Sequence, residues 1–300
     1  MSENMIETNQ LTKVYGDTRA VDRLDWSVPA GSICGMLGPN GAGKTTTLKI
    51  LLGMTTATSG TAHVRTLDAL TQSVEIRNFA AFIPEDKIFY ERMKAEDFLK
   101  FYGSFYSSWS KDEAERLITY WNIPRDKNAG TFSKGNRAKL LLAAALARKP
   151  ELLVFDEPTD GLDPAAIEEV LSLIASWAAE SKRTALIATH RLDEVERICD
   201  RVSIVDNGRV LLSDDLDDLR TQWKTLQAIG DLPIEEIRGF ENVQNVTKDG
   251  MRVQIVIRKN AESIEKRLRE RYHVSNLEMQ DMNLREIYLA ATGYKGGAGQ

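Results

Sequence analysis

Apolar and polar residues alternate along MIETNQLTKVYG and AVDRLDWSVPAG, the period of half-buried strands. Gly16-Asp17 and Pro29-Ala30-Gly31 supply turns, so the chain is predicted to open with an antiparallel strand pair. The period then changes. SICGML is apolar throughout, as a strand covered on both faces must be, and leads through a glycine-rich turn into the helical run TTTLKILLGM. ELLVFD and TALIATH are again continuous apolar strands, separated by the amphipathic PAAIEEVLSLIASWAAE. Strand, helix, strand in this order predicts a parallel sheet covered by helices. RVSIVDNGRVLLSD closes as a hairpin on Asn207-Gly208.

From about Asp86 to Thr131 the aromatic-rich helical patterns DFLKFYGSFYSSW and EAERLITYWNI predict a helical insert, its aromatics mostly in the core. Phe89 and Tyr90, in the loop that enters it, could line a groove for a partner helix. In TFSKGNRAKLLLAAALARKP, Ser133 is placed to cap the helix that the Leu/Ala run forms. Capping does not account for Gly135. Past about Arg220 the pattern restarts as strand, helix, two strands across a KDG turn, helix and strand, a small ferredoxin-like module with no catalytic pattern. The glycine-rich GYKGGAGQ is expected to fray.

Composition narrows the function classes. The 300 residues are 42% apolar and 28% charged with a formal net charge of -5, an ordinary globular balance whose sign implies no nucleic-acid partner. The two cysteines, Cys34 and Cys199, suit a reducing compartment without a disulfide framework. MSENMIETNQ carries no signal-peptide pattern, and the longest apolar run, Leu140 to Ala147, falls far short of the roughly 20 residues that cross a bilayer. A cytoplasmic chain is expected, with any membrane crossing made by another chain.

Candidate chemistry centres on GPNGAGKTT, comprising Gly38, Pro39, Asn40, Gly41, Ala42, Gly43, Lys44, Thr45 and Thr46, which matches G-x-x-x-x-G-K-[ST] between a predicted strand and helix. Gly38, Gly41 and Gly43 let backbone N–H groups turn toward phosphate oxygens, Lys44 neutralises phosphate charge, and the Thr45 hydroxyl is placed to ligate magnesium. The plain alternative is a glycine-rich turn that only starts a helix. ELLVFDEP ends its buried strand on Asp156 and Glu157, where open α/β sheets bind ligands. Asp156 is a candidate magnesium holder and Glu157 a candidate to polarise an attacking water. His190 ends TALIATH, beside the same edge, where an imidazole can donate to a γ-phosphate oxygen. His63 and His273 have no catalytic company and are expected to be surface or packing residues.

In order and spacing, VYG with Tyr15, GPNGAGKT, the loop after FIPE, FSKGNR, LLVFDEPTDGLDP and the histidine of ATHR make residues 5 to 215 resemble the nucleotide-binding subunits of ATP-binding cassette (ABC) transporters. The resemblance implies an α/β fold: a P-loop ATPase core with an antiparallel β subdomain and a helical insert at about 86–150, together spanning 1–219. A small α+β C-terminal module spans 220–300. It further implies ATP and Mg2+ as ligands, Tyr15 stacked on adenine, and Ser133 and Gly135 gripping the γ-phosphate held by a second copy. Tyr15 is equally readable as a simple sheet residue. Asp163 matches the family's residue linking two opposed sites, and it is also a good N-cap ahead of Pro164.

Two departures from the family pattern stand out. The signature LSGGQ is here FSKGNR, which keeps serine and glycine, and the glutamine of the loop joining core to insert is here Glu85. A carboxylate cannot donate as an amide does, but it can accept from a water or bind magnesium, so Glu85 is both a catalytic and a metal candidate.

The leading expectation is a cytosolic ATPase subunit that dimerises around ATP and powers a separate membrane-spanning permease at the inner face of the cell membrane, in the manner of bacterial exporters. A soluble ATPase acting on ribosomes or DNA is the alternative from another class. The single P-loop, the lack of sustained heptads and the acidic balance lower it. A small-molecule P-loop kinase would need an acceptor pocket and no Ser133.

Overall fold

In a computed structural model of the chain, the described residues are 4–86, 89, 92–180, 183–272, 274 and 276–293. Tyr90, His273 and the tail beyond Gly293 lie outside them. The alternating opening segments form β1 (Asn4–Tyr15) and β2 (Thr18–Pro29), antiparallel about Gly16-Asp17. β3 (Ile33–Leu37) and α1 (Lys44–Leu51) follow. β4 (Ser59–Val64) and β5 (Leu67–Asp68) complete a four-stranded sheet ordered β2-β1-β4-β5. His63 is half-buried on β4.

After α2 (Ser73–Phe79) and β6 (Ala80–Ile83) comes the helical insert of α3 (Ala95–Gly103), α4 (Lys111–Tyr120) and α5 (Lys134–Leu146). The core resumes with β7 (Leu152–Asp156), α6 (Pro164–Ala179), β8 (Thr184–Thr189), α7 (Leu192–Ile198), β9 (Arg201–Asp206) and β10 (Arg209–Asp215).

The central sheet runs β10-β9-β3-β8-β7-β6, with β6 through β9 mutually parallel along it. Every residue of β3, β7 and β8 is buried, the reason these strands are continuously apolar. Trp26, Val28, Met36, Leu48, Leu51, Val154 and Leu186 belong to one core that joins this sheet to the antiparallel one. Register fixes the site: Leu37 lies opposite Thr189, and Asp156 opposite Ala188. Gly38, Glu157 and His190 therefore leave the sheet side by side.

Phe98, Leu99, Leu117, Ile118 and Trp121 fill the interior of the insert and Tyr102, Tyr106 and Trp109 are half-buried around them, while Phe101, Phe105 and Tyr120 are exposed. The groove assigned to Phe89 is corrected. Its ring is buried edge-on against Phe98, with centroids 4.8 Å apart. Burial of the ring outweighs its loop position, and it packs the insert instead of facing a partner. Arg148, just past α5, is buried, donates to the Ala80 carbonyl at 3.1 Å and lies over the Tyr106 ring. Ser133 caps α5, its Oγ accepting from Asn136 N at 3.3 Å.

The chain divides into two compact units between Ser213 and Asp214. The second contains α8 (Leu216–Gln222), β11 (Lys224–Ile229), α9 (Ile234–Arg238), β12 (Val243–Asp249), β13 (Arg252–Ile257), α10 (Ala261–Arg271), β14 (Asn276–Asp281) and α11 (Leu284–Thr292). Its sheet order, β12-β13-β11-β14, with helices after the first and third strands, is the ferredoxin-like arrangement. Leu226, Ile237, Ile255 and Leu268 are central to its own core. The unit begins ahead of the pattern restart near Arg220 because α8 packs with α11. No helix among the described residues is long and apolar enough to cross a membrane.

Candidate active site

The loop 38–43 follows β3 and is pressed against its neighbours. A Cβ on Gly38 would stand 2.2 Å from the Val205 carbonyl oxygen, and one on Gly43, whose φ is 97°, would stand 2.3 Å from that of Ala20. Only glycine fits either place. The β9–β10 turn braces the loop from below, with Gly208 N donating to Ala42 O and Asp22 N donating to Gly208 O. Asp22 is itself held by Arg19 and Arg209, whose hydrogen bonds lower its carboxyl pKa to about 2. Pro39, Asn40 and Gly41 form an exposed crest, while Ala42 is buried and Thr46 half-buried.

Lys44 opens α1 and is only 5% exposed. Its Nζ donates to the carbonyls of Gly38 at 2.7 Å and Pro39 at 3.2 Å, and lies 3.3 Å from Glu157 Oε1. Glu157 is equally buried, and its other oxygen is 2.9 Å from His190 Nδ1. One carboxylate thus spans the lysine and the imidazole. The turn that puts it there is strained: Glu157 has φ 45°, in the left-handed region, and its N–H donates to Ala188 O at 2.9 Å.

Thr45 Oγ1 donates to Asp156 Oδ1 at 3.0 Å. Burial raises the Asp156 pKa, the Thr45 bond opposes this, and the Glu157 charge adds to it. Glu85 is exposed, yet desolvation first, and then the charges of Asp156, Glu157 and Asp160, push its carboxyl up as well. A hydroxyl and a carboxylate 3.0 Å apart, in the field of further carboxylates, are the hard oxygen donors that magnesium selects, so the residues fit that ion.

The remaining candidates lie elsewhere on the unit. Tyr15 ends β1, half exposed, with Lys13 Nζ 4.7 Å above its ring. Asp163 caps α6, accepting from Ala166 N at 3.0 Å, ahead of Pro164. Ser133 is exposed, and among the described residues neither it nor Gly135 makes a hydrogen bond to residues 38–46. A Cβ on Gly135 would meet only Ala166 Cβ at an ordinary 3.6 Å and Ser133 Oγ at 4.0 Å. Packing within the chain does not require that glycine.

Sequence reasoning missed Glu194, on α7, which is fully buried and accepts from the hydroxyls of Thr159 and Thr189. Its surroundings in HRLDEVER have the polar pattern of a solvated helix face, so no local signal marks it.

Fold and site together define a P-loop nucleotide-binding protein. The ABC transporter family profile matches residues 21–160. The bacitracin transport ATP-binding protein BcrA of Bacillus licheniformis is 37% identical over 69% of this chain and 68% of its own length. The uncharacterized ABC transporter ATP-binding protein YhaQ of Bacillus subtilis (strain 168) is 28% identical over 96% of this chain and 99% of its own, a match that extends through the second unit. A solved structure of an ATP-binding subunit of an ABC transporter superposes with a TM-score of 0.65 at 31% identity, covering 73% of this chain and 92% of that one. The chain belongs to the ATP-binding subunits of ABC transporters, which bind and hydrolyse ATP.

Proposed function

We propose that two copies of this chain close around two ATP molecules and drive export through a separate membrane-spanning permease, with the pair held at the inner face of the cell membrane. The carrying observation is the contiguous Lys44–Glu157–His190 cluster beside the Thr45–Asp156 pair. In this reading Lys44 exchanges the Gly38 and Pro39 carbonyls and Glu157 for phosphate oxygens. Release of Glu157 from Lys44 leaves its carboxylate to orient and deprotonate a water, while the His190 ring, 2.9 Å from the other oxygen, keeps that carboxylate in place and offers a ring N–H to it or to a phosphoryl oxygen. Thr45 Oγ1, Asp156 and Glu85 would hold magnesium, which when bound neutralises charge on the phosphates. Tyr15 stacks on the adenine, and the 38–46 amides receive the phosphates.

The second copy supplies Ser133 and Gly135. An exposed serine at a helix N-terminus, followed by a glycine that its own chain's packing does not demand, supports a contact made outside the chain. Asp163 sits where one site is joined to the other. Closure is driven because γ-phosphate binds the paired state better than the open one. The relationship to BcrA, a bacitracin transport ATP-binding protein, supports a role in transport.

Hydrolysis measured against protein concentration tests the reading. In dilute solution the rate per chain rises with concentration, and Lys44→Ala abolishes nucleotide binding. A constant rate per chain, or unchanged affinity in Lys44→Ala, would count against it.

A further inference from the structure

We infer that Glu194 is a positioning residue for hydrolysis, the buried anchor that sets the spacing of Glu157 and His190. The inference rests on the roles proposed above for those two residues. Glu194 lies on α7 and is 1% exposed, with no contact to the nucleotide loop itself in its hydrogen bonds. Its Oε1 accepts from the Thr159 hydroxyl, and its Oε2 accepts from the Thr189 hydroxyl at 3.1 Å. Arg191 Nε lies 2.9 Å from Oε1 and balances the charge.

The two threonines belong to different segments, and both are buried. Thr159 is in the turn that follows Glu157, a turn closed by Asp160 N donating to Glu157 O and Leu162 N donating to Thr159 O. Thr189 immediately precedes His190, its carbonyl accepts from Gly38 N at 3.2 Å, and its hydroxyl accepts from Arg191 N at 3.1 Å. A carboxylate can only accept, so both hydroxyls must point at Glu194. One side chain therefore ties the segment after Glu157 to the segment before His190, and through Thr189 to the start of the phosphate loop. Glu157 cannot relax its φ of 45° without moving Thr159 away from this anchor.

An amide in place of the carboxylate presents N–H to one of the two hydroxyls and forces it to turn, with little change of volume. Glu194→Gln in the full chain should lower kcat about tenfold while the ATP Kd stays within about threefold, and Glu194→Ala should lower kcat about a hundredfold. In both, the His190 ring NMR signals should shift. Thr159→Val should cost much less in the Glu194→Gln background than in the wild type, because the two act through one bond.

Wild-type kcat in both Glu194 variants would overturn the inference. So would a kcat loss with unshifted His190 signals, or losses that simply add in the double variant. Glu157→Gln, assayed in parallel, separates the failures. If it hydrolyses ATP normally, the site reading falls; if it is inactive while the Glu194 variants are normal, only the present inference falls.

Discussion

His190 Nδ1 stands 2.9 Å from Glu157 Oε2, and the same carboxylate faces Lys44 through its other oxygen. The contact joins the ends of β7 and β8, neighbours in the sheet, so it follows from strand order rather than from any local motif. His190→Ala should lower turnover on the order of a hundredfold and change ATP affinity by less than about threefold. Steady-state hydrolysis with an equilibrium nucleotide titration checks the split.

Ser133 caps α5 and is proposed to face the nucleotide of a second copy, two roles that can be separated. As the α5 cap it bonds Asn136 N, so Ser133→Ala should cost about 1 kcal/mol of stability, read as a small drop in Tm. Ser133→Arg places a bulky side chain on the proposed interface. It should leave ATP binding by the monomer intact and abolish nucleotide-dependent dimerisation; a dimer that still forms would remove Ser133 from the second copy's site.

Glu85 replaces an amide with a carboxylate in a field that already contains Asp156 and Glu157. If it helps hold magnesium, Glu85→Gln should raise the Mg2+ concentration for half-maximal hydrolysis by about threefold or more. An unchanged magnesium titration would leave Glu85 outside the metal site.

Asp22 provides a pH test of the brace beneath the phosphate loop. Arg209 and Arg19 hold its pKa at about 2, below the ordinary carboxylate range, so the stabilisation is present above that range and lost as pH falls toward 2. Asp22→Asn should lower Tm near pH 7, and the gap to wild type should close as the pH is taken below about 4. A gap independent of pH would mean that the charge of Asp22 is not what holds the hairpin.

The legible parts of the fold were those whose signal is contiguous. The phosphate loop is one unbroken motif between a strand and a helix, and β3, β7 and β8 announce themselves because burial on both faces demands continuous apolar residues. The parts hidden from sequence depend on distant neighbours. Nothing local states that β8 lies between β3 and β7, yet that order brings His190 and Lys44 to Glu157. SGTAHV alternates only over its last four residues, too short a run to mark a strand, so β4 becomes evident when β1 pairs with it. Arg148 and Glu194 look like surface charges in LARKP and HRLDE; only tertiary packing buries them. Phe89 looked available because it lies in the loop that enters the insert, but its ring packs edge-on against Phe98.

The central claim is that Glu157 ends the ATP-closed state by hydrolysis. Size-exclusion chromatography of Glu157→Gln with Mg2+ and ATP tests it most directly: the account predicts a stable dimer with nucleotide retained and negligible turnover. A monomeric Glu157→Gln that hydrolyses ATP at the wild-type rate would contradict it.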